Sequence, residues 1–217
     1  MRTKPFVAGL LAVALLAGSP IMQTATAGGN DRGPGKAVAK TTTYSVDTEK
    51  STLVWNAKKV GGEHTGNMKL SKGEITANGN KLTGGTFVAD VTTLTENKNN
   101  ERVVNHLKSD DFFAVEKNPT ATFKITKVTP IANAKAGEPN YTVTGDMTIK
   151  GNTNPLTFPA VVKITNEDVE ASAQLEVNRI PFDIKYRAAI IGTAADKIID
   201  DNFTLDLKLF AKKSKPM

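Results

Sequence analysis

The chain has no cysteine, a single tryptophan (Trp55) and only two histidines (His64 and His106), and aromatic residues make up 6% of its 217 positions. Without cysteine there are no disulfides, thiolate nucleophiles or sulfur metal ligands, so stability rests on packing alone. The sequence also lacks a G-x-S-x-G elbow, a phosphate loop and an H-E-x-x-H pair, which removes the commonest hydrolase, nucleotide-binding and zinc-protease patterns. No basic run is interleaved with aromatics. The 28 Lys+Arg and 22 Asp+Glu are dispersed, with lysines spaced singly along outer strand faces, which is a solubilising pattern and not a nucleic-acid footprint. The longest apolar run, Phe6–Ala17, has 12 residues, short of the ~20 that a spanning helix needs. Stable membrane insertion is therefore not expected.

What is present divides the chain in four. Residues 1–27 read as a secretory leader: Arg2 and Lys4, the apolar run, then Ala25-Thr26-Ala27, with cleavage near Ala27. A periplasmic or secreted location follows from that reading. Residues 28–42 are rich in Gly, Pro and charge, without apolar periodicity, and are expected to be disordered. The domain is expected over 43–211, with a short tail at 212–217.

Within the domain the dominant signal is period-two alternation. Leu53, Trp55 and Ala57 share one face of a strand, Met68, Leu70 and Ile75 of the next, and Phe87, Ala89 and Val91 of a third. Gly61-Gly62 and Asn78-Gly79-Asn80 mark turns, and Ser71-Lys72-Gly73 a bulge. At Tyr141–Val162 the alternation marks a hairpin, with Tyr141, Val143, Met147 and Ile149 on the greasy face. Its turn is expected over Gly151–Asn154, with alternation resuming at Leu156 and Phe158. Further strands are expected at Ala121–Val128, Val169–Asn178, Ile184–Ile190 and Asn202–Ala211. The one helical pattern is at residues 100–110, where Asn99 or Asn100 caps a turn presenting Val103, Val104 and Leu107 to the sheet, as a lid over one end. Eight or nine such strands with no helix between successive ones predict an all-β fold, an antiparallel barrel or sandwich. In a barrel, the small inward residues Ala57, Ala89, Gly145, Ala171 and Ala173 beside large ones would leave room for an apolar ligand.

Chemistry-bearing clusters are few. His64 and His106, with Glu63, Asp110 and Asp111 nearby, could form a metal or catalytic site only if the helix folded over the early hairpin. A hydrogen-bonded histidine at a strand end and another on a helix surface is the plainer reading. Asp196, Asp200 and Asp201 lack calcium-loop spacing and read as turn residues, and the sequon Asn202-Phe203-Thr204 falls in an expected strand. No catalytic residue and no metal site is assigned.

Three ordered motifs add a resemblance. His106-Leu107-Lys108-Ser109-Asp110-Asp111-Phe112-Phe113, then Pro119–Phe123, then Val143–Gly151 are similar to the YceI-like family of bacterial lipid-binding proteins. Tyr44–Asp47 and Ser51–Trp55 resemble its opening. The resemblance implies an eight-stranded lipocalin-like β-barrel, an apolar pocket for a polyisoprenoid chain or related quinone-like amphiphile, periplasmic export and often a homodimer. Where the family commonly has Arg-Asp-x-His, this chain has Val103-Val104-Asn105-His106. The expected pocket lining is Trp55, Phe87, Phe113, Tyr141, Val143, Met147, Leu156 and Phe158, and Arg102, His106 and Lys108 are the candidates for a polar head group. Two rivals stand beside this carrier: a metal or enzymatic protein using His64 and His106, and a ligand-free stress or interaction module with a filled barrel.

Overall fold

The computed structural model describes residues 41–215; the expected leader and almost all of the expected disordered segment lie outside them. Nine strands follow in order: β1 (Thr41–Val46), β2 (Thr52–Lys59), β3 (Gly62–Asn78), β4 (Lys81–Asp90), β5 (Thr120–Pro130), β6 (Tyr141–Ile149), β7 (Asn152–Ile164), β8 (Asp168–Asn178) and β9 (Ile199–Lys213). One α-helix, α1 (Glu101–Lys108), stands between β4 and β5.

Every pairing is antiparallel, and the ring closes because β3 pairs with β4 while β2 and β1 both bridge β3 to β9. The fold is thus a closed eight-stranded barrel in which one stave is made of two strands. β2 lies against Gly62–Met68 of the long strand β3, and β1 lies against Glu74–Asn78 of the same strand. Strand β1 takes in Thr41 and Thr42, the first described residues, and Lys212 and Lys213 of the expected tail belong to β9, opposite Ser45 and Tyr44.

The other edge of β3 is also completed in two parts. β4 covers it from Lys69 onward, with the expected bulge falling between Leu70 and Lys72. Below that the chain after β4 runs alongside it, with Thr95 N donating to Asn67 O and Asn97 N donating to Thr65 O, both at 2.9 Å. Trp55 Nε1 reaches across to Thr95 O at 3.0 Å. This crossing demands a residue without a side chain at Gly66, where a Cβ would stand 1.8 Å from Thr95 O and 2.7 Å from Trp55 Nε1. Gly66→Ala must push the crossing segment away, so a stability loss of about 2–4 kcal/mol is expected, with a shifted Trp55 emission spectrum. A neutral urea midpoint with unchanged emission would contradict this packing.

The 141–162 hairpin is tighter than its sequence suggests. The turn is only Lys150-Gly151, with φ of 51° and 74°, and Asn152, Thr153 and Asn154 already pair with Ile149, Thr148 and Met147. Two consecutive residues at positive φ make the turn type whose twist matches a hairpin, so no longer loop is needed. A second correction concerns Ile184–Ile190, which is not a strand but part of the irregular β8–β9 connection. Ile184 and Ala188 are buried, yet the carbonyls of Ile184 and Tyr186 accept from the Arg179 guanidinium, so the backbone is not free to join a ladder.

One joint of the barrel is short. β7 and β8 pair only over Val161–Ile164 and Val169–Ser172. Asn140 N donates to Ala160 O and Val162 N to Asn140 Oδ1, so even-numbered residues of β7 turn their peptides to the β6 side. Pro155 and Pro159, of the opposite parity, face β8 and have no N–H to donate. Side-chain amides serve instead near the start of β7: Asn152 Nδ2 donates to Phe182 O at 3.2 Å and Asn154 Nδ2 to Pro181 O at 3.1 Å.

Candidate ligand cavity

Inward side chains from all the strands β2–β9 and from α1 surround a cavity of about 170 Å³. Its wall is almost wholly hydrocarbon; the polar residues reaching it are Thr122, Ser172, Arg179 and Asp200. Alternation explains why: each strand sends every second residue inside, and those positions hold Leu53, Trp55, Ala57 on β2 and Phe203, Leu205, Leu207, Leu209 on β9. Of the small residues expected to leave room, Ala57, Ala89, Ala171 and Ala173 are on this wall. Gly145 is not, because the Phe123 ring takes the space its side chain would occupy, with Cζ 2.5 Å from a notional Cβ.

Six of the eight expected lining residues, Trp55, Phe87, Phe113, Val143, Met147 and Phe158, face the cavity. Tyr141 and Leu156 do not. A buried hydroxyl needs a partner, and that of Tyr141 accepts from Leu82 N at 3.4 Å, which holds its ring at the β3–β4 edge. Leu156 stands opposite Gly145, beside the space Phe123 fills, and packs on the core without reaching the wall.

The three candidates for a head group are outside the wall. α1 turns Leu107 to the cavity, which leaves its polar residues on other faces. Arg102 is exposed, Lys108 Nζ donates to Thr92 O at 2.7 Å, and His106 Nε2 lies 2.9 Å from Asp111 Oδ2, with its ring edge-on to Phe112 and Tyr186. The cation in the wall is Arg179, which sequence reasoning did not single out. A signal existed: continuing the inward parity of Leu175 and Val177 by two residues lands on it.

Arg179 is 4% exposed and all five of its N–H donors are used. Nε donates to Asp200 O, Nη1 to Ile184 O and Tyr186 O, and Nη2 to Ile199 O and Asp201 Oδ1, at 2.8–3.4 Å. Burial pushes its pKa down, Asp201 and Asp200 oppose that, and a guanidinium remains charged. With no donor spare, Arg179 ties the end of β8 to the start of β9 and to the connection between them.

A second buried charge, Glu96, was equally unforeseen, since a glutamate in a polar loop has no distinguishing pattern. His64 Nδ1 lies 3.2 Å from its Oε1; a carboxylate can only accept, so Nδ1 carries the proton. Its Oε2 accepts from Lys98 N at 2.7 Å and from Asn100 N at 3.2 Å. Asn100 in turn caps α1, its Oδ1 accepting from Val103 N. The relay His64–Glu96–Asn100 thus fixes α1 over the barrel. Burial alone would raise the Glu96 pKa, but the bonds from His64, Asn100 and Lys98 outweigh it and hold the carboxyl below its ordinary value. A depressed carboxyl stabilises the fold above its unfolded pKa and ceases to as pH falls through the folded value. Glu96→Gln is therefore expected to be less stable than the parent at neutral pH, with the gap narrowing as the pH falls through and below the ordinary glutamate range of about 4–5. Thermal midpoints across that range check this, and a constant gap contradicts it.

The two histidines thus engage different carboxylates, and among the described residues no three His, Cys, Asp or Glu side chains come together in a way that could hold a metal. Nor is any described helix long and apolar enough to cross a membrane.

Comparison with known proteins agrees with this architecture. A UPF0312 protein of Pseudomonas aeruginosa is 34% identical over 102 residues, covering 47% of this chain and 44% of that protein. The matched region is thus less than half of that relative's length. A UPF0312 protein of Shewanella denitrificans is 26% identical over 135 residues, covering 62% of this chain and 61% of its own. Among solved structures, BcnA of Burkholderia cenocepacia superposes with a TM-score of 0.61 at 22% identity, over 76% of this chain and 98% of that one. A polyisoprenoid binding domain from Saccharophagus degradans gives 0.57 at 17% identity, over 79% and 98%. At these identities the two structures show a shared fold. The model of the YceI-like domain matches residues 44–211, the barrel from within β1 to near the end of β9, and by that match the chain belongs to the YceI-like family.

Proposed function

We propose that the protein is a periplasmic or secreted carrier that holds an isoprenoid-type lipid, or a quinone-like amphiphile, in the barrel. One observation carries this: Met68, Phe87, Leu107, Phe113, Ile125, Phe203, Leu205 and Leu207 point inward yet are only half-buried, because they face the cavity and not one another. A barrel filled by its own side chains would bury them, which speaks against a ligand-free module. The Saccharophagus domain of the same fold is named for polyisoprenoid binding, which supports the same ligand class.

Magnitudes narrow the ligand. A burial of ~0.8 kcal/mol per methylene gives up to about 4 kcal/mol for a five-carbon isoprene unit. Association costs ~10 kcal/mol, so one unit does not bind, while four or five reach roughly micromolar affinity without a head-group contact. The cavity of about 170 Å³ is close to the ~150 Å³ that accommodates one benzene-sized molecule. A binding chain must therefore displace wall residues, and Met68 and Met147, with unbranched, adaptable side chains, are suited to move.

Native mass spectrometry of protein isolated from its own cell envelope is expected to retain an apolar adduct. Added prenyl lipid is expected to change the emission of Trp55, which is on the cavity wall. Repeated absence of an adduct, together with unresponsive Trp55, would sink the proposal.

A further inference from the structure

Both ends of the barrel are closed. At the end carrying α1, Lys150 Nζ donates to Asp110 O at 2.8 Å and Asp183 O at 3.0 Å, Tyr186 packs against His106 and Phe112, and Val60 N donates to Ile198 O at 3.1 Å. The His64–Glu96–Asn100 relay holds the start of the helix. At the opposite end Tyr44 and Tyr141 are buried with both hydroxyls bonded, the first donating to Thr165 O at 2.8 Å and the second accepting from Leu82 N. A hydrocarbon chain needs a way in, and the side wall is what remains.

The wall has one place where pairing stops and nothing takes over. β7 and β8 pair last at Val161 and Ser172. Continuing that register sets Ala160 against Ala173 on the inner face, and Pro159 against Gln174 and Thr157 against Glu176 on the outer face. The outer side chains all bond away from the joint: Thr157 to Thr144 of β6 at 2.9 Å, Gln174 to Asp206 of β9 at 2.8 Å, and Glu176 to Asn202 of β9 at 2.7 Å. On the inner face only methyl groups meet, and Ala160, Ser172 and Ala173 belong to the cavity wall. Even-numbered residues of β8 turn their peptides to β7, because Ser172 and Glu170 pair with Val161 and Lys163. Gln174 and Glu176 therefore face a strand whose Pro155 and Pro159 offer no N–H. Nearer α1 the amides of Asn152 and Asn154 hold Phe182 and Pro181, which bounds the gap. The other short joint, β4–β5 with five pairs, is bridged beyond them by Tyr141, which pairs with Pro130 of β5 and bonds Leu82 of β4.

We infer that the apolar chain enters and leaves the barrel sideways, between β7 and β8 at the level of Ala160 and Ala173, and that Pro155 and Pro159 keep this entrance free of ladder bonds. The inference rests on the carrier reading. It gives the two prolines control of the exchange rate and not of affinity, because an entrance is crossed in both directions while the cavity itself is unchanged.

Trp55 emission is followed after rapid mixing with a detergent-solubilised prenyl alcohol of about four isoprene units, and again on dilution. The chain has no cysteine, so Thr157→Cys with Glu176→Cys introduces a single disulfide across the joint. Oxidised, this variant is expected to load and release about tenfold more slowly than the parent or slower still, and reduction should restore the parent's rates. Pro155→Thr with Pro159→Thr returns two donors to β7. It is expected to slow both rates by about tenfold, the effect of two ladder bonds of ordinary net strength, with affinity unchanged and the thermal midpoint raised. If the cysteine pair fails to oxidise, the proline variant decides alone. Glu96→Gln loosens α1 and is expected to leave both rates as they are. Parent rates in either joint variant overturn the inference, as does faster exchange in Glu96→Gln, which would put the entrance at α1. Absence of any Trp55 response at equilibrium rejects the carrier reading and the inference with it, whereas a full response at unaltered rates rejects the side entrance alone.

Discussion

Replacing Arg179 by methionine is expected to cost about 3–5 kcal/mol, the range for removing one side of a buried charged network. Four backbone carbonyls, those of Ile184, Tyr186, Ile199 and Asp200, lose their donor together with Asp201 Oδ1. Each buried acceptor left unpaired costs about 1–3 kcal/mol before relaxation, and water entering from the connection relieves part of that. Set against a typical domain stability of about 5–15 kcal/mol, that loss is a large fraction of the total. Arg179→Lys should recover only a fraction, because an ammonium carries three donors on a flexible stem and cannot reproduce the planar fork. Urea unfolding followed by far-ultraviolet dichroism measures both. A loss under about 1 kcal/mol for the methionine variant would show that the carbonyls find other partners.

The second large effect concerns the cavity. Ala173→Phe puts a ring on the wall where β8 now has only a methyl group, between Leu175 of its own strand and its β9 partner Leu207. In a well-packed core such a change costs about 1–3 kcal/mol, but here the ring enters space of about 170 Å³, so stability should change little. The same ring removes much of the volume a chain would use. A fall in prenyl-lipid affinity of about a hundredfold is expected, the equivalent of ~2.7 kcal/mol and so of three to four buried methylenes. Titration of Trp55 emission measures it. Unaltered affinity at unaltered stability would place the ligand elsewhere than in the barrel.

Strand identity was legible because one face of each strand is wet and the other dry, and alternation records that directly. It failed at Ile184–Ile190, where the spacing of Ile184, Tyr186 and Ala188 imitates a strand but Arg179, close in space and not adjacent in sequence, claims the carbonyls. Parity also located most of the cavity wall, since inward residues are inward whatever the barrel's width. It could not tell which inward residues touch one another and which touch the cavity. Tyr141 is drawn aside by a hydrogen bond to another strand and Leu156 by a phenylalanine ring facing a glycine, and both are contacts between distant segments. The helix was recognised from its cap and its apolar stripe. Its polar residues Arg102, His106 and Lys108, the candidates for a head group, stay off the cavity wall because α1 reaches that wall only through Leu107.

The four-rung joint between β7 and β8 has a mechanical meaning. A closed barrel behaves as a hoop, whose girth is fixed by its bonded strands and whose resistance to swelling is set by its weakest seam. The adjoining seams carry nine register pairs on one side and eleven on the other. Two prolines keep the β7–β8 seam from zipping further, so radial strain from any over-long guest would concentrate there while the rest of the ring kept its register.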